Sequence, residues 1–451
     1  KDCGMQGVAA GAGADRERGV RIYDVSDPRN PRLINNIQTC RGTHTHTIVP
    51  DPKDKNVIYL YGGGSSSVRD STEMPGCSQG NYPANPDASN NRIDIIKVEL
   101  DHPQDAKVVG FARIFENLPR SPGRGGVADT STTPNARNAS GPGGCHDLTS
   151  YPTYNLVAGS CGSHGILLDV KDPMHPVRLD AATDTNFSLW HTAIFNNDAT
   201  SVVYTDEWGG GTAPRCRITD PLRLGGNTIL SIDKSGKMTQ HGYFKMLAAQ
   251  GNTENCVSHN GGLVPVPGRD IMVQGWYQGG VDVFDFSNPN HPYEIAYFDR
   301  GPIDDKTLVV GGSWGAYYWN GYIYSSELSR GLDIFELQPS EFLSQNELDA
   351  AKLVRMDTYN PQSQPKIVWP AAFPVVRSYL DQLVRDKGMA PAQTDNITRT
   401  LRNAERVRGG ERKTVLNNLA ATLDNYAKNA KDGAKVRMMA DAVRDLANAS
   451  K

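Results

Sequence analysis

Four histidines, His46, His146, His191 and His259, each open an apolar run of similar length. The runs are His46-Thr47-Ile48-Val49, His146-Asp147-Leu148-Thr149, His191-Thr192-Ala193-Ile194-Phe195 and His259-Asn260-Gly261-Gly262-Leu263. A neutral imidazole is a ligand for Zn²⁺, Cu²⁺ and Fe. If the four runs line a common axis, their first residues converge, and a transition-metal site results. His44 lies two residues before His46, so it should share its face of the strand. His164 sits in the turn before another apolar run and is a rim candidate. A fifth run replaces the histidine with Trp314, and Asp206-Glu207-Trp208 follows a strand-like segment as a candidate rim pocket. The competing reading is structural: repeats inherit one residue for packing, and a histidine can close a loop on neighbouring backbone.

Other chemistries find little support. There is no Gly-x-Ser-x-Gly elbow, no P-loop and no EF-hand spacing. None of the seven cysteines forms a Cys-x-x-Cys pair, which argues against a zinc ribbon or a thioredoxin motif. Cys145 and Cys161 flank two strands that turn at Tyr151–Asn155, so a hairpin there places them within disulfide reach. Scattered cysteines in a Gly- and Pro-rich chain fit an oxidising compartment.

The elements that must hold these residues repeat. Gly19-Val20-Arg21-Ile22-Tyr23-Asp24-Val25 runs into Asp27-Pro28-Arg29-Asn30-Pro31, and close copies occupy Gly165–Pro176 and Gly280–Pro292. Degenerate copies start at Arg92, Asn227 and Gly331. The recurring acids Asp24, Asp169, Asp285 and Glu336 read as turn caps. Two strands precede each phrase and one follows it, so the unit is a four-stranded antiparallel meander. Such units repeated about six times predict a mainly β chain: a six-bladed β-propeller, with seven blades as the alternative count, followed by a small α-helical bundle. A β-sandwich is the structural rival. Insertions at 63–91 and 115–144 read as surface loops without a core of their own. The expected division is a propeller over residues 1–340, a helix and Pro/Gln linker over 341–373, and a four-helix bundle over 374–451. The bundle rests on apolar stripes such as Val376, Leu380, Leu383 and Val384.

The chain of 451 residues has a net charge of -3, which excludes a global basic field for nucleic acid. No apolar run is long enough to span a membrane. The chain starts at Lys1, which reads as the product of signal-peptide removal.

The phrase at Val20–Pro31, Ile166–Pro176 and Val281–Pro292 resembles the LVIVD-repeat β-propeller family. The tail, through Val376–Val384 and Ala434–Asp441, is similar to the FIMAH-type helical module of secreted bacterial proteins. Both resemblances imply export, to the cell surface or extracellular space with the periplasm as alternative, and neither implies a reaction. They favour a binding or assembly module whose partner is a protein, a glycan or another surface polymer, with an oligomer or a larger assembly as its form. The alternative function is a metal-dependent oxidoreductase or hydrolase using copper, zinc or iron at the histidines. The distantly related selenium-binding and methanethiol oxidase propellers use histidine for copper.

Overall fold

The computed structural model describes residues 17–64, 66–118 and 144–450. Six antiparallel sheets follow one another along the chain. The first pairs β1 (Gly19–Asp24) with β2 (Arg32–Gln38). The second joins β3 (His46–Pro50), β4 (Val57–Gly62), β5 (Ile93–Glu99) and β6 (Lys107–Ala112). The third holds β7 (Asp147–Tyr151), β8 (Leu156–Cys161), β9 (His164–Asp169) and β10 (Val177–Ala182). The fourth holds β11 (Trp190–Phe195), β12 (Ser201–Asp206), β13 (Asn227–Ile232) and β14 (Met238–Phe244). The fifth holds β15 (Gly261–Val264), β16 (Ile271–Gly275), β17 (Val281–Asp285) and β18 (Tyr293–Phe298). Among the described residues, the sixth has β19 (Ser313–Trp319), β20 (Tyr322–Glu327) and β21 (Gly331–Phe335).

The recurring phrase is therefore a third strand and its turn. Three of the four recurring acids cap that turn, whereas Glu336, also expected as a cap, accepts instead from Lys352. Asp24 accepts from the N–H of Ser26, Asp169 from that of Lys171 and Asp285 from that of Ser287. Every third–fourth strand pair carries a register shift, at β1/β2, β5/β6, β9/β10, β13/β14 and β17/β18. Such bulges raise the local twist and turn the outer strand away from its neighbour.

Each sheet packs on the next through apolar side chains. Val20 and Ile37 meet Leu60 and Ile96, Tyr61 and Ile95 meet Leu148 and Ile166, and Leu167 meets Trp190 and Tyr204. Ile229 and Phe244 meet Met272 and Phe284, and Val273 and Val283 meet Ala316 and Ile323. The first strands β3, β7, β11, β15 and β19 touch in that order. Hydroxyls fix the level between two of them: Thr45 and Thr47 donate to the carbonyls of His146 and Leu148. The first residues of successive sheets are thereby brought to one end of a shared axis.

The other end is closed by the segment read as a Pro/Gln linker. Met356 is held by Asn320 and Trp319 beyond the end of β19. Gln362 accepts from the N–H of Ser150, and the N–H of Gln364 donates back to the Ser150 carbonyl. The Gln364 side chain accepts from the N–H of Phe195 and donates to its carbonyl, at 3.1 and 2.8 Å. Trp369 donates to the carbonyl of Pro265. A strap thus crosses four sheets, with Tyr359 packed against Tyr317 beneath the axis. Gln364→Ala is expected to lower unfolding free energy by about 2 kcal/mol, since it strands two buried backbone groups. Urea denaturation checks this; an unchanged midpoint would show the strap to be passive.

The helices are α1 (Gln345–Lys352), α2 (Phe373–Arg385), α3 (Pro391–Arg406), α4 (Gly409–Ala427) and α5 (Gly433–Ala449). Val376, Leu380, Leu383, Ile397, Leu401, Leu416, Leu423, Val436 and Val443 form one core. Val384, expected on that face, is 54% exposed. Gly409-Gly410 begins α4. The bundle docks on the fifth sheet: Gln382 donates to the carbonyl of Pro267, and Glu347 of α1 pairs with both Arg269 and Arg385.

Three disulfides join Cys40 to Cys77, Cys145 to Cys161 and Cys216 to Cys256. Cys3 and most of the 115–144 insertion lie outside the described residues. The 63–91 insertion is not bare loop: Cys40, Val68 and Cys77 form a small core with Met74. Among the described residues, no helix is long and apolar enough to cross a membrane.

Candidate metal centre

Four imidazoles stack in a row at the open end of the axis. Ring centroids of His44 and His146, His146 and His191, and His191 and His259 are each 4.1 Å apart. They line an open pocket of about 280 Å³ with Asp147, Asn260, Trp314 and Tyr317. His146 immediately precedes β7, His191 is the second residue of β11, and His259 stands two residues ahead of β15.

A carboxylate completes the group. Glu207 follows β12, and its N–H donates to the Leu189 carbonyl at 3.0 Å, which holds it over the start of β11. His146, His191 and Glu207 offer ligand atoms that all lie within 4.8 Å of one another. Glu207 Oε2 stands 3.7 Å from His191 Nε2, and Oε1 stands 3.7 Å from His259 Nε2. Those separations are too long for hydrogen bonds. They are near the roughly 3.4 Å expected between two ligands each about 2.1 Å from one tetrahedral ion.

Outer contacts fix the imidazoles. Asp147 Oδ1 lies 3.0 Å from His146 Nδ1, and Asn260 donates to Oδ2 at 3.1 Å. His259 Nδ1 meets the Trp314 carbonyl. A carbonyl only accepts, so Nδ1 carries the proton and Nε2 turns a lone pair toward Glu207. Two acceptors facing each other in a buried site repel unless a cation or proton lies between them. Tyr277 Oη donates to Glu207 Oε1 at 2.5 Å, orienting the carboxylate. Tyr277 adopts φ 54°, a left-handed conformation unusual for a tyrosine. It is pinned there by two backbone bonds to Ser313, and a Cβ on neighbouring Gly312 would lie 1.9 Å from the Tyr277 carbonyl carbon.

His191 is 1% exposed, and neither of its ring nitrogens has a hydrogen-bond partner among the described residues. Unpaired buried polar groups are costly and mark a missing partner. Burial, then the neighbouring imidazoles, holds its pKa well below the ordinary 6.5, and burial lowers His259 to about 3. His44 is also lowered, by burial first and His146 second. Burial pushes the Asp147 carboxyl up, but the His146 hydrogen bond and charge bring it below its usual value. His44, His191 and His259 are therefore neutral, with lone pairs available, at neutral pH.

No family model and no curated protein matches the chain. Solved structures give distant likenesses. A putative 6-phosphogluconolactonase from Bacteroides uniformis aligns with 10% identity and a TM-score of 0.40, over 70% of this chain and 73% of that one. A hypothetical selenium-binding protein from Sulfolobus tokodaii gives 11% identity and 0.39, over 68% and 65%. A protein from Lactobacillus plantarum gives 14% identity and 0.39, over 70% and 76%.

The structure brings together His44, His146, His191 and His259 but leaves two candidates out. His46 is exposed on β3 and outside the pocket; His44 takes the place expected for it. The chain bends at His44-Thr45 before β3 begins, so strand alternation does not carry back from His46. His164 opens β9, pairs across to Cys161 and contacts the Ser163 hydroxyl, away from the row. Glu207 stands in the segment read as a rim pocket, but its tie to the histidines depends on long-range strand pairing. Its neighbour Asp206 serves the loops, accepting from the N–H groups of Ser188, Leu189 and Gly225.

The depressed histidines give a pH dependence. Below about pH 6.5 the unfolded chain binds protons that folded His191 and His259 refuse, so stability falls as pH drops. Buried Asp270, raised to about 6, acts with the opposite sign. The informative reading is thus a difference: metal-stripped wild type should lose more stability between pH 7.5 and 5 than His259→Asn. Equal losses in urea melts would refute the assignment.

Proposed function

We propose that the six sheets form an exported β-propeller of the LVIVD-repeat type that holds one transition-metal ion at the open end of its hub and works there as a metal-dependent enzyme. His146, His191 and Glu207 would hold the ion, with His259 beside them and His44 at the mouth. The observation that carries the reading is His191, wholly buried yet with two unpartnered nitrogens beside an oriented carboxylate. A nitrogen-and-carboxylate set suits zinc, copper or iron. The ion would supply Lewis acidity or electron transfer to a bound small molecule. The chain's own residues bind and orient. The strap closes the far end, so the pocket is entered from one side, and Trp314, 46% exposed, offers a flat apolar wall. The three disulfides support export to an oxidising compartment.

Elemental analysis of the protein purified without chelator tests this. About one zinc, copper or iron per chain is expected, lost in His146→Ala. A folded protein that stays metal-free after incubation with each ion would overturn the reading.

A further inference from the structure

Positive charge gathers where α3 turns into α4. Six cations fall within residues 399–413 against two carboxylates, Glu405 and Glu411, in a chain whose net charge is -3. Arg399, Arg402 and Arg406 stand at i, i+3 and i+7, so they share one stripe of α3 about 10 Å long. Arg408 and Lys413 continue it across the turn into α4. All five are exposed. Among the described residues, no side-chain hydrogen bond or ion pair reaches any of them. The sixth cation, Arg412, is folded inward on the carbonyls of Ala404 and Val407. Glu405 is taken by Arg377 at 2.8 Å. That leaves Asp395 and Glu411 beside five cations.

Helix stability does not account for this arrangement. Like charges three and four residues apart on one helix repel. Arg408 occupies the N-cap of α4 with no cap bond, the end at which the helix dipole disfavours a cation. The stripe also lies on the outer side of the bundle. α3 packs on α2 and α4, while α1 and α2 make the contacts to the fifth sheet.

We propose that this stripe binds a linear acidic polysaccharide, carrying carboxylates or sulfates along its length, and so anchors the propeller to an extracellular glycan. Charge selects that occupant. The stretches outside the described residues do not complement the stripe: residues 1–16 hold two acids and two bases, and 119–143 hold three arginines and one aspartate. A two-fold pair of the patch with itself would set arginine against arginine. A lipid surface is held through an inserted apolar face, and the apolar side of α3, Ile397, Leu401 and Ala404, is wholly buried in the bundle core. Single-stranded nucleic acid is held by stacking on aromatic rings, and residues 399–413 contain none. Four of the five free cations are arginines, whose planar forks grip an oxyanion through two parallel bonds. The anchor does not depend on the metal centre.

The test uses the full-length oxidised protein with fluorescein-labelled heparin and fluorescein-labelled alginate, read by anisotropy. Saturable binding of at least one polymer is expected, weakening steeply with added salt as counterions are released. The triple variant Arg399→Gln, Arg402→Gln, Arg406→Gln should bind at least about tenfold more weakly. A charge-matched control on the propeller, Lys53→Gln, Lys55→Gln, Lys234→Gln, also at exposed positions, should change affinity by less than about twofold. Far-UV circular dichroism checks that both variants fold. Absence of saturable binding to either polymer, or equal losses in the two triple variants, overturns the proposal. So does tighter binding to phosphatidylglycerol vesicles or to duplex DNA, because the patch would then serve another class of partner. A low-salt dimer that the arginine variant dissolves overturns it as well, because it gives the stripe to a second copy.

Discussion

Glu347→Gln is expected to destabilise the chain by about 3–5 kcal/mol, the usual effect of removing one partner from a buried ion pair. The Glu347 side chain is 0% exposed and sits under two guanidinium groups. Arg269 donates to it at 2.9 Å, and Arg385 at 2.8 and 2.9 Å. The N–H of Ser344 donates as well, closing the capping box that starts α1. Burial works to raise the Glu347 pKa, but the Arg385 hydrogen bond and the Arg269 charge bring it below the ordinary 4.5. Its contribution is therefore present above pH 4.5 and is lost as pH falls through the lower folded value. A glutamine keeps the shape and removes the charge. Arg269 retains Asp285 at 2.7 Å, but Arg385 is left half-buried without its carboxylate. This cluster joins the β15–β16 turn and β17 to α1 and α2, so the loss should appear as earlier release of the helices. Replacing Glu347 and Arg385 together by Leu and Met should restore much of the stability, since a packed apolar pair avoids the desolvation cost. Urea melts followed by far-UV circular dichroism decide it; a single-variant loss below about 1 kcal/mol would mean that water or rearrangement rescues the site.

How much of this was legible in the sequence depends on range. The turn phrases are local, so β1, β9 and β17 and their capping acids could be read from Gly19, Gly165 and Gly280 onward. The Asn320-Gly321 hairpin and the Cys145–Cys161 pair across a tight turn are likewise short-range. The helical stripes were legible from periodicity, except that Val384 lies on the rim and not in the core. What failed to show is fixed at a distance. The strap has the Pro/Gln composition of a free linker, and the bonds that pin it reach Ser150 and Phe195, 212 and 169 residues away. His44 displaces His46 because of a bend ahead of β3, which strand alternation does not foresee. The role of Glu207 depends on how β12 pairs with β11, where a register shift intervenes. One strand was expected after every phrase, but among the described residues none follows β21 in the sixth sheet.

The second large effect is expected at His191. In His191→Ala, affinity for the preferred divalent ion should fall by more than about 100-fold, whereas Tyr277→Phe should cost about 10–100-fold, the range typical of groups that orient a ligand. The order follows from the geometry. His191 offers lone pairs in a dry site, and alanine leaves His146 and Glu207 without the group between them. Phenylalanine at 277 removes only the 2.5 Å bond that aims Glu207 Oε1 and keeps the ring against His259. Tyr277→Phe should also leave the fold intact, because its backbone bonds to Ser313 do not involve the hydroxyl. His46→Ala is the control: its imidazole lies outside the pocket, so metal affinity should not change. Competition titrations against a chromogenic chelator give the affinities, and near-UV circular dichroism confirms that the variants fold. If His46→Ala released the ion while His191→Ala retained it, the ligands would lie elsewhere, and the row of imidazoles would be packing after all.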